Sequence, residues 1–268
     1  ERLGIGYEDL KAVNPNLIYV SISGYGPDGP DSGHRVYDNV IQAASGLASV
    51  QTDPRNGEPS LFRTLLCDKV TSLTAAQAIS SALYARAAGN ADGQHIVLAM
   101  LDAAVSFMWP DSGMDAVLLD DDANRTPTIG QNYGITRLKD GFAAVAVVSD
   151  SEFKGLCHTY GRPDLADDER FATMAGRTMN ASELVPLMTE LSAQQPTDEF
   201  VKRAQSFDVP AASVVTLADL PQQPQIRNNQ VFVERQHPVA GRIREPRPAA
   251  RFSATPAQAG RLAPSPGQ

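Results

Sequence analysis

No stretch of about 18 consecutive apolar residues occurs in the chain, so no part of it reads as a membrane-crossing helix. Cysteine is scarce. Cys67 and Cys157 are the only two, and they lack the paired spacing of a zinc site or a disulfide framework, which leaves two reduced thiols in or near the core and no expected metal. Basic charge is also short: 23 Lys and Arg face 31 Asp and Glu, a net charge of −8, which argues against nucleic acid as a partner. A phosphate-rich ligand would need a local basic pocket. The opening ERLGIGYEDL has the character of neither a signal peptide nor a transit peptide, and a cytoplasmic protein is expected. The acidic run Asp120-Asp121-Asp122 lacks the glycine and distal glutamate of a calcium loop and reads as a solvated linker.

What remains is an ordinary globular composition, with 42% hydrophobic and 20% charged residues over 268 positions, enough for one large domain or two ordinary ones. The central feature runs from Leu61 to Leu101. No Gly or Pro occurs from Lys69 to Ala88, and seven alanines (Ala75, Ala76, Ala78, Ala82, Ala85, Ala87 and Ala88) give that stretch high helix propensity. Val70, Leu73, Ala76, Ile79 and Leu83 recur at helical spacing and are expected to face the core. Gly89, Asn90 and Gly93 end the helix, and Gln94 to Leu101 reads as a mostly buried strand running into another helix.

Asp68 stands at the start of that long helix. An aspartate there serves as an ordinary N-cap, its carboxylate accepting from a backbone N–H one turn on. The same position also fits a nucleophile, because the positive end of the helix dipole keeps a carboxylate ionised and stabilises an oxyanion formed beside it. The adjacent Cys67 has no His base nearby in sequence and is not expected to do thiol chemistry.

Before this stretch, Tyr7 to Val13 reads as a short helix stopped at Asn14-Pro15, and residues 17–23 as a strand bounded by Gly24. Gly24, Tyr25 and Gly26 begin a loop at the strand's carboxyl end, where α/β folds place ligands, although its glycine spacing matches no phosphate-binding fingerprint. Tyr37 to Leu47 is helical in pattern, with Val40, Ile41, Ala43, Ala44 and Leu47 on the expected buried side; His34 and Arg35 precede it. Beyond the acidic run, residues 126–134 read as loop, 142–148 as a buried strand and 149–160 as a helix capped by Ser149 or Asp150. Helices are expected at 180–193 and 197–207, a strand at 211–217, a strand pair around a turn at 238–241, and an extended, proline-rich tail from Pro246.

NPNLIYVSISGYGPDGP (14–30), YDNVIQAASGL (37–47), the Asp68 helix and DGQHIVLAMLDA (92–103) together resemble successive motifs of the class III CoA-transferases. The same family holds carnitine CoA-transferases, formyl-CoA transferase and the α-methylacyl-CoA racemases. GRPDLADDERFATMAGRTMNASEL (161–184) and HPVAGRIREPRPAARFSATP (237–256) extend the resemblance over essentially the whole chain.

The resemblance implies an α/β fold: a Rossmann-like large domain formed from both chain ends, a smaller inserted α/β domain, and an interlocked homodimer. It divides the chain into large domain (1–110), linker (111–127), small domain (128–222) and a return to the large domain with the tail (223–268). The first residues resemble the middle of a family member, so the chain is expected to lack an N-terminal segment that carries part of the CoA site. The implied activity is transfer of CoA from an acyl-CoA donor to a carboxylic acid, with Asp68 as nucleophile, Arg35, Tyr37, Gly24 and Tyr25 beside CoA, and no tightly bound cofactor. His34 has no matching role.

Two other readings stand beside this one: a racemase of the same fold, and an inactive domain that at most binds CoA or a partner chain. In the racemases a histidine occupies the position of Tyr37, and a phenol, with a reference pKa of about 10, is a poorer base near neutral pH than imidazole at about 6.5. The acids themselves are not legible.

Overall fold

The computed structural model describes the chain except for residues 1, 2, 54, 55, 124–129, 131, 132, 259, 266 and 268, and gives residues 114 and 115 by backbone alone. Most of the loop expected at 126–134 therefore lies outside the described residues. The chain divides into two compact units, 1–133 and 134–268.

In the first unit, helix α1 (Tyr7–Val13) stops at Asn14, whose backbone is extended at φ −135° as the following proline requires. Strand β1 (Ile18–Ser23) follows, then α2 (Asp38–Ala44), α3 (Leu47–Val50) and the long α4 (Leu66–Ala87). Strand β2 (Gln94–Ala99) leads directly into α5 (Met100–Ser112) and the short α6 (Met114–Val117). β1 and β2 pair in parallel, Ile18 opposite Gln94 through Ser23 opposite Ala99. Parallel neighbours need a long crossover, and α2, α3 and α4 supply it. α4 packs on both strands and on α2 and α5. The core of the unit gathers Ile41, Leu47, Cys67 and Ala104, with Tyr25, Val36, Phe62, Leu66 and Met108 against them.

Three expectations are corrected here. The helix expected over 37–47 is two helices, broken where Gly46 takes φ +89°, a left-handed conformation that glycine adopts without the penalty of a side chain. Its buried side carries Asp38, Ile41, Gln42 and Ser45, while Val40, Ala43 and Ala44 face outward. On α4 the buried stripe is Cys67, Val70, Thr71, Ala75 and Ala82, whereas Leu73 is 72% exposed and Ile79 and Leu83 also face out. The buried positions of α4 thus carry small or medium side chains, and its large apolar ones lie on the exposed side. β2 alternates between half-buried and exposed residues up to a buried Ala99, as a strand with one covered face does, instead of being buried throughout.

In the second unit, β3 (Ile135–Arg137), β4 (Phe142–Val145) and β5 (Ala211–Ser213) form an antiparallel sheet in that order. Helices α7 (Asp150–Tyr160), α8 (Met174–Met179), α9 (Ala181–Ala193) and α10 (Thr197–Ser206) lie between β4 and β5 in sequence. Ser149 caps α7: its hydroxyl accepts from the Glu152 N–H at 3.2 Å while the Glu152 carboxylate accepts from the Ser149 N–H at 2.7 Å. Phe153, Cys157, Leu165, Phe171 and Leu184 form one core cluster, and Leu138, Ala143, Tyr160 and Phe200 another. Both strands expected at 142–148 and 211–217 are shorter than their apolar runs, and Phe142 is exposed because β4 alternates. Helix α11 (Pro224–Asn228) precedes an antiparallel hairpin of β6 (Phe232–His237) and β7 (Gly241–Pro246), as the turn at 238–241 suggested. Among the described residues no helix is long and apolar enough to cross a membrane.

Candidate active site

Helix α4 begins with Leu65 as N-cap, which makes no side-chain capping bond, and Asp68 is the third residue inside the helix, so Asp68 is not the N-cap weighed from the sequence. Its half-buried side chain sits in the first turn, where unpaired backbone N–H groups and the helix dipole favour negative charge. The Leu66 N–H donates to the Thr64 carbonyl at 2.9 Å and the Asp68 N–H to the Asp38 carboxylate at 3.1 Å. That leaves the Cys67 N–H as the one donor of this turn without an acceptor among the described residues. The Asp68 carbonyl accepts from the Ser72 hydroxyl at 2.8 Å, so the Asp68 backbone is held from both sides.

Asp38 reaches Asp68 from α2. Its carboxylate is 5% exposed; Oδ2 takes the Asp68 N–H and Oδ1 accepts from the side-chain amide of Gln42, itself 1% exposed. Gln42 in turn donates to the Phe62 and Thr64 carbonyls, each at 3.2 Å, and accepts from the Phe62 N–H at 2.9 Å. One buried acid and one buried amide thus tie α2, the 62–64 segment and the start of α4 together. Sequence reasoning missed both residues. Their i, i+4 spacing is that of an ordinary solvent-facing pair, and no pattern in the chain marks it as buried.

Cys67, fully buried beside Asp68, has its thiol pushed up to about 11, first by burial and then by the negative charges of Asp38 and Asp68. A thiol held protonated is no nucleophile, in keeping with the expectation for Cys67.

Gly24 and Tyr25 lie at the carboxyl end of β1, and the Gly24 carbonyl accepts from the Leu101 N–H at 3.0 Å. A β-carbon on Gly24 would stand 2.4 Å from a methyl of Val36, so this turn needs glycine to let the 35–37 segment pack down. Tyr25, Val36 and Cys67 belong to one core cluster, which brings the Gly24-Tyr25 turn, the Arg35 to Tyr37 segment and the base of α4 onto a shared floor. Arg35 is exposed and makes no ion pair among the described residues, and Tyr37, at the N-cap of α2, is 80% exposed. His34 pairs with Asp31 at 3.1 Å on the surface.

Among the described residues no three His, Cys, Asp or Glu side chains cluster as a metal would require. The second unit holds two open grooves, of 390 Å³ and 450 Å³, lined by residues between Pro221 and Arg244 and between Asp140 and Gln223. Neither contains a residue of the α2–α4 junction.

The family model for CoA-transferase family III matches residues 1–268. The chain belongs to that family. Human succinyl-CoA:glutarate CoA-transferase is 29% identical over 254 residues, covering 94% of this chain and 57% of the human protein. Acetyl-CoA:oxalate CoA-transferase of Acetobacter aceti is 28% identical over 240 residues, covering 87% of this chain and 60% of that protein. The crystal structure of a CAIB/BAIF family protein from Brucella suis matches with a TM-score of 0.81 and 30% identity, over 98% of this chain and 68% of that one. This family III chain therefore spans a little under two thirds of the length of the curated relatives it matches.

Proposed function

We propose that the protein carrying this chain transfers CoA from an acyl-CoA to a carboxylic acid, with Asp68 as the covalent nucleophile. The observation that carries this reading is the placement of Asp68: a half-buried carboxylate in the first turn of α4, its backbone held by Asp38 and Ser72 and an unused N–H one residue before it. Family membership supplies the reaction class.

The Asp68 carboxylate attacks the donor thioester carbonyl, forming an acyl-aspartyl anhydride and expelling CoA thiolate. The thiolate attacks the aspartyl carbonyl of the anhydride, giving an aspartyl-CoA thioester and releasing the donor acid. The acceptor carboxylate then attacks this thioester, regenerating an anhydride and thiolate, and the thiolate takes the new acyl group and frees Asp68. Each step passes the activated acyl bond on intact, so no step requires outside energy. Water must be kept out, since either intermediate would hydrolyse. A free N–H at a helix start suits the oxyanion formed at each attack.

Arg35 is assigned to a CoA phosphate, which its planar fork suits, with Tyr37, Gly24 and Tyr25 along the same wall. CoA then serves as a substrate and no tightly held cofactor is needed. Tyr37 in place of a histidine disfavours proton shuttling at the α-carbon. The names of the relatives suggest succinyl-CoA or acetyl-CoA as donor, with glutarate or oxalate as acceptor. The homodimer, the return of 223–268 to the first domain and a cytoplasmic location belong to the same proposal.

The test is transfer measured on Asp68→Asn, which removes the charge and keeps the shape. Transfer should fall at least about a thousandfold while the fold is retained. Transfer near the unsubstituted rate would exclude Asp68 as nucleophile.

A further inference from the structure

We infer that Asp38 is a positioning residue for the transfer reaction, holding the Asp68 main chain at the geometry the attack requires; this rests on the proposed role of Asp68. A buried carboxylate at 5% exposure is costly unless its lone pairs are used, and here they accept from one main-chain and one side-chain donor. The main-chain donor is the N–H of Asp68 itself, so a shift of Asp38 is a shift of the peptide that carries the nucleophile. Gln42 fixes the other oxygen and binds Phe62 and Thr64, the residues through which the chain enters α4. One first-turn N–H is committed to Asp38, and the N–H of the neighbouring Cys67 has no acceptor among the described residues.

The arrangement also has a fixed polarity. Asp38 only accepts, Gln42 must present its amide nitrogen to Asp38 and the two carbonyls, and its oxygen then faces the Phe62 N–H. Asp38→Asn keeps the size and places a donor where only an acceptor works.

The experiment measures kcat and KM for acyl-CoA on Asp38→Asn and on Gln42→Met, with Asp68→Asn alongside. Misplacing a reacting group by a fraction of a bond length is expected to lower kcat of Asp38→Asn by about tenfold to a hundredfold, with KM within about twofold. Gln42→Met should follow in the same direction by a smaller factor, which keeps the proposal open to test if Asp38→Asn folds poorly. A kcat for both single variants within twofold of the unsubstituted protein, or a loss confined to KM, overturns the positioning role. An inactive Asp68→Asn with an unimpaired Asp38→Asn sinks this inference alone, whereas an active Asp68→Asn sinks the nucleophile reading on which it rests.

Discussion

Asp38 and Asp68 lie thirty residues apart in sequence, yet the carboxylate of the first accepts the backbone N–H of the second at 3.1 Å. Two acidic residues meet here because only one presents its side chain to the contact. The other presents its peptide, and its residue is half-buried. The start of α4 is thereby partly occupied from within the fold, in the same turn that carries Asp68.

The turn after β1 gives the first prediction. Gly24→Ala places a methyl 2.4 Å from a methyl of Val36, and overpacking of this kind costs about 1–3 kcal/mol. Val36→Ala on the same chain should return most of that loss by making room. Thermal melts of the single and double variants decide it: a Gly24→Ala melting temperature equal to the unsubstituted one would mean the turn is looser than described.

Arg35 gives the second. It is exposed and unpaired among the described residues, so its removal should not disturb the fold. Arg35→Ala should raise KM for acyl-CoA about tenfold or more, the worth of a charge-assisted contact to phosphate, with kcat within about twofold. Arg35→Lys should recover only part of this, since an ammonium lacks the paired donors. An unchanged KM for Arg35→Ala would remove it from the CoA site.

The two thiols and Tyr160 give the third. Burial first of all raises Cys67 and Cys157 from 9.0 to about 11 and Tyr160 from 10.0 to about 12. These groups release protons earlier in the unfolded chain than in the folded one. Their contribution to stability is therefore full below about pH 9 and is lost as the pH rises from there through about 11. The melting temperature should be level up to about pH 9 and fall beyond it, and peptide mapping after alkylation at pH 8 should find Cys67 and Cys157 unlabelled in the folded protein. A melting temperature that is constant to pH 11, or rapid labelling of either thiol, would contradict this.

How much of this was legible in the sequence depended on whether the signal was local. Asn14-Pro15 stopped α1, Ser149 with Glu152 started α7, and alanine density marked α4, because each effect acts within a turn of the chain. The inward faces of α2 and α4 were not legible. Leu73, Ile79 and Leu83 satisfy the apolar periodicity and still point outward, while Asp38 and Gln42, polar by type, are among the most buried side chains of the first unit. Periodicity ranks residues by hydrophobicity, and at this junction the fold selects instead for small size and for hydrogen bonds to the entry of the next helix. Asp68 was legible as a candidate by type and place; the partner that holds its peptide was not, since the contact is made by a residue on another helix.

The claim that Asp68 forms the covalent bond is met most directly by mass spectrometry of the protein after brief incubation with succinyl-CoA or acetyl-CoA. The account predicts a CoA adduct on the peptide containing Asp68, absent from Asp68→Asn and discharged when an acceptor acid is added. Turnover of acyl-CoA with no adduct on Asp68, or an adduct carried by a different residue, would contradict it.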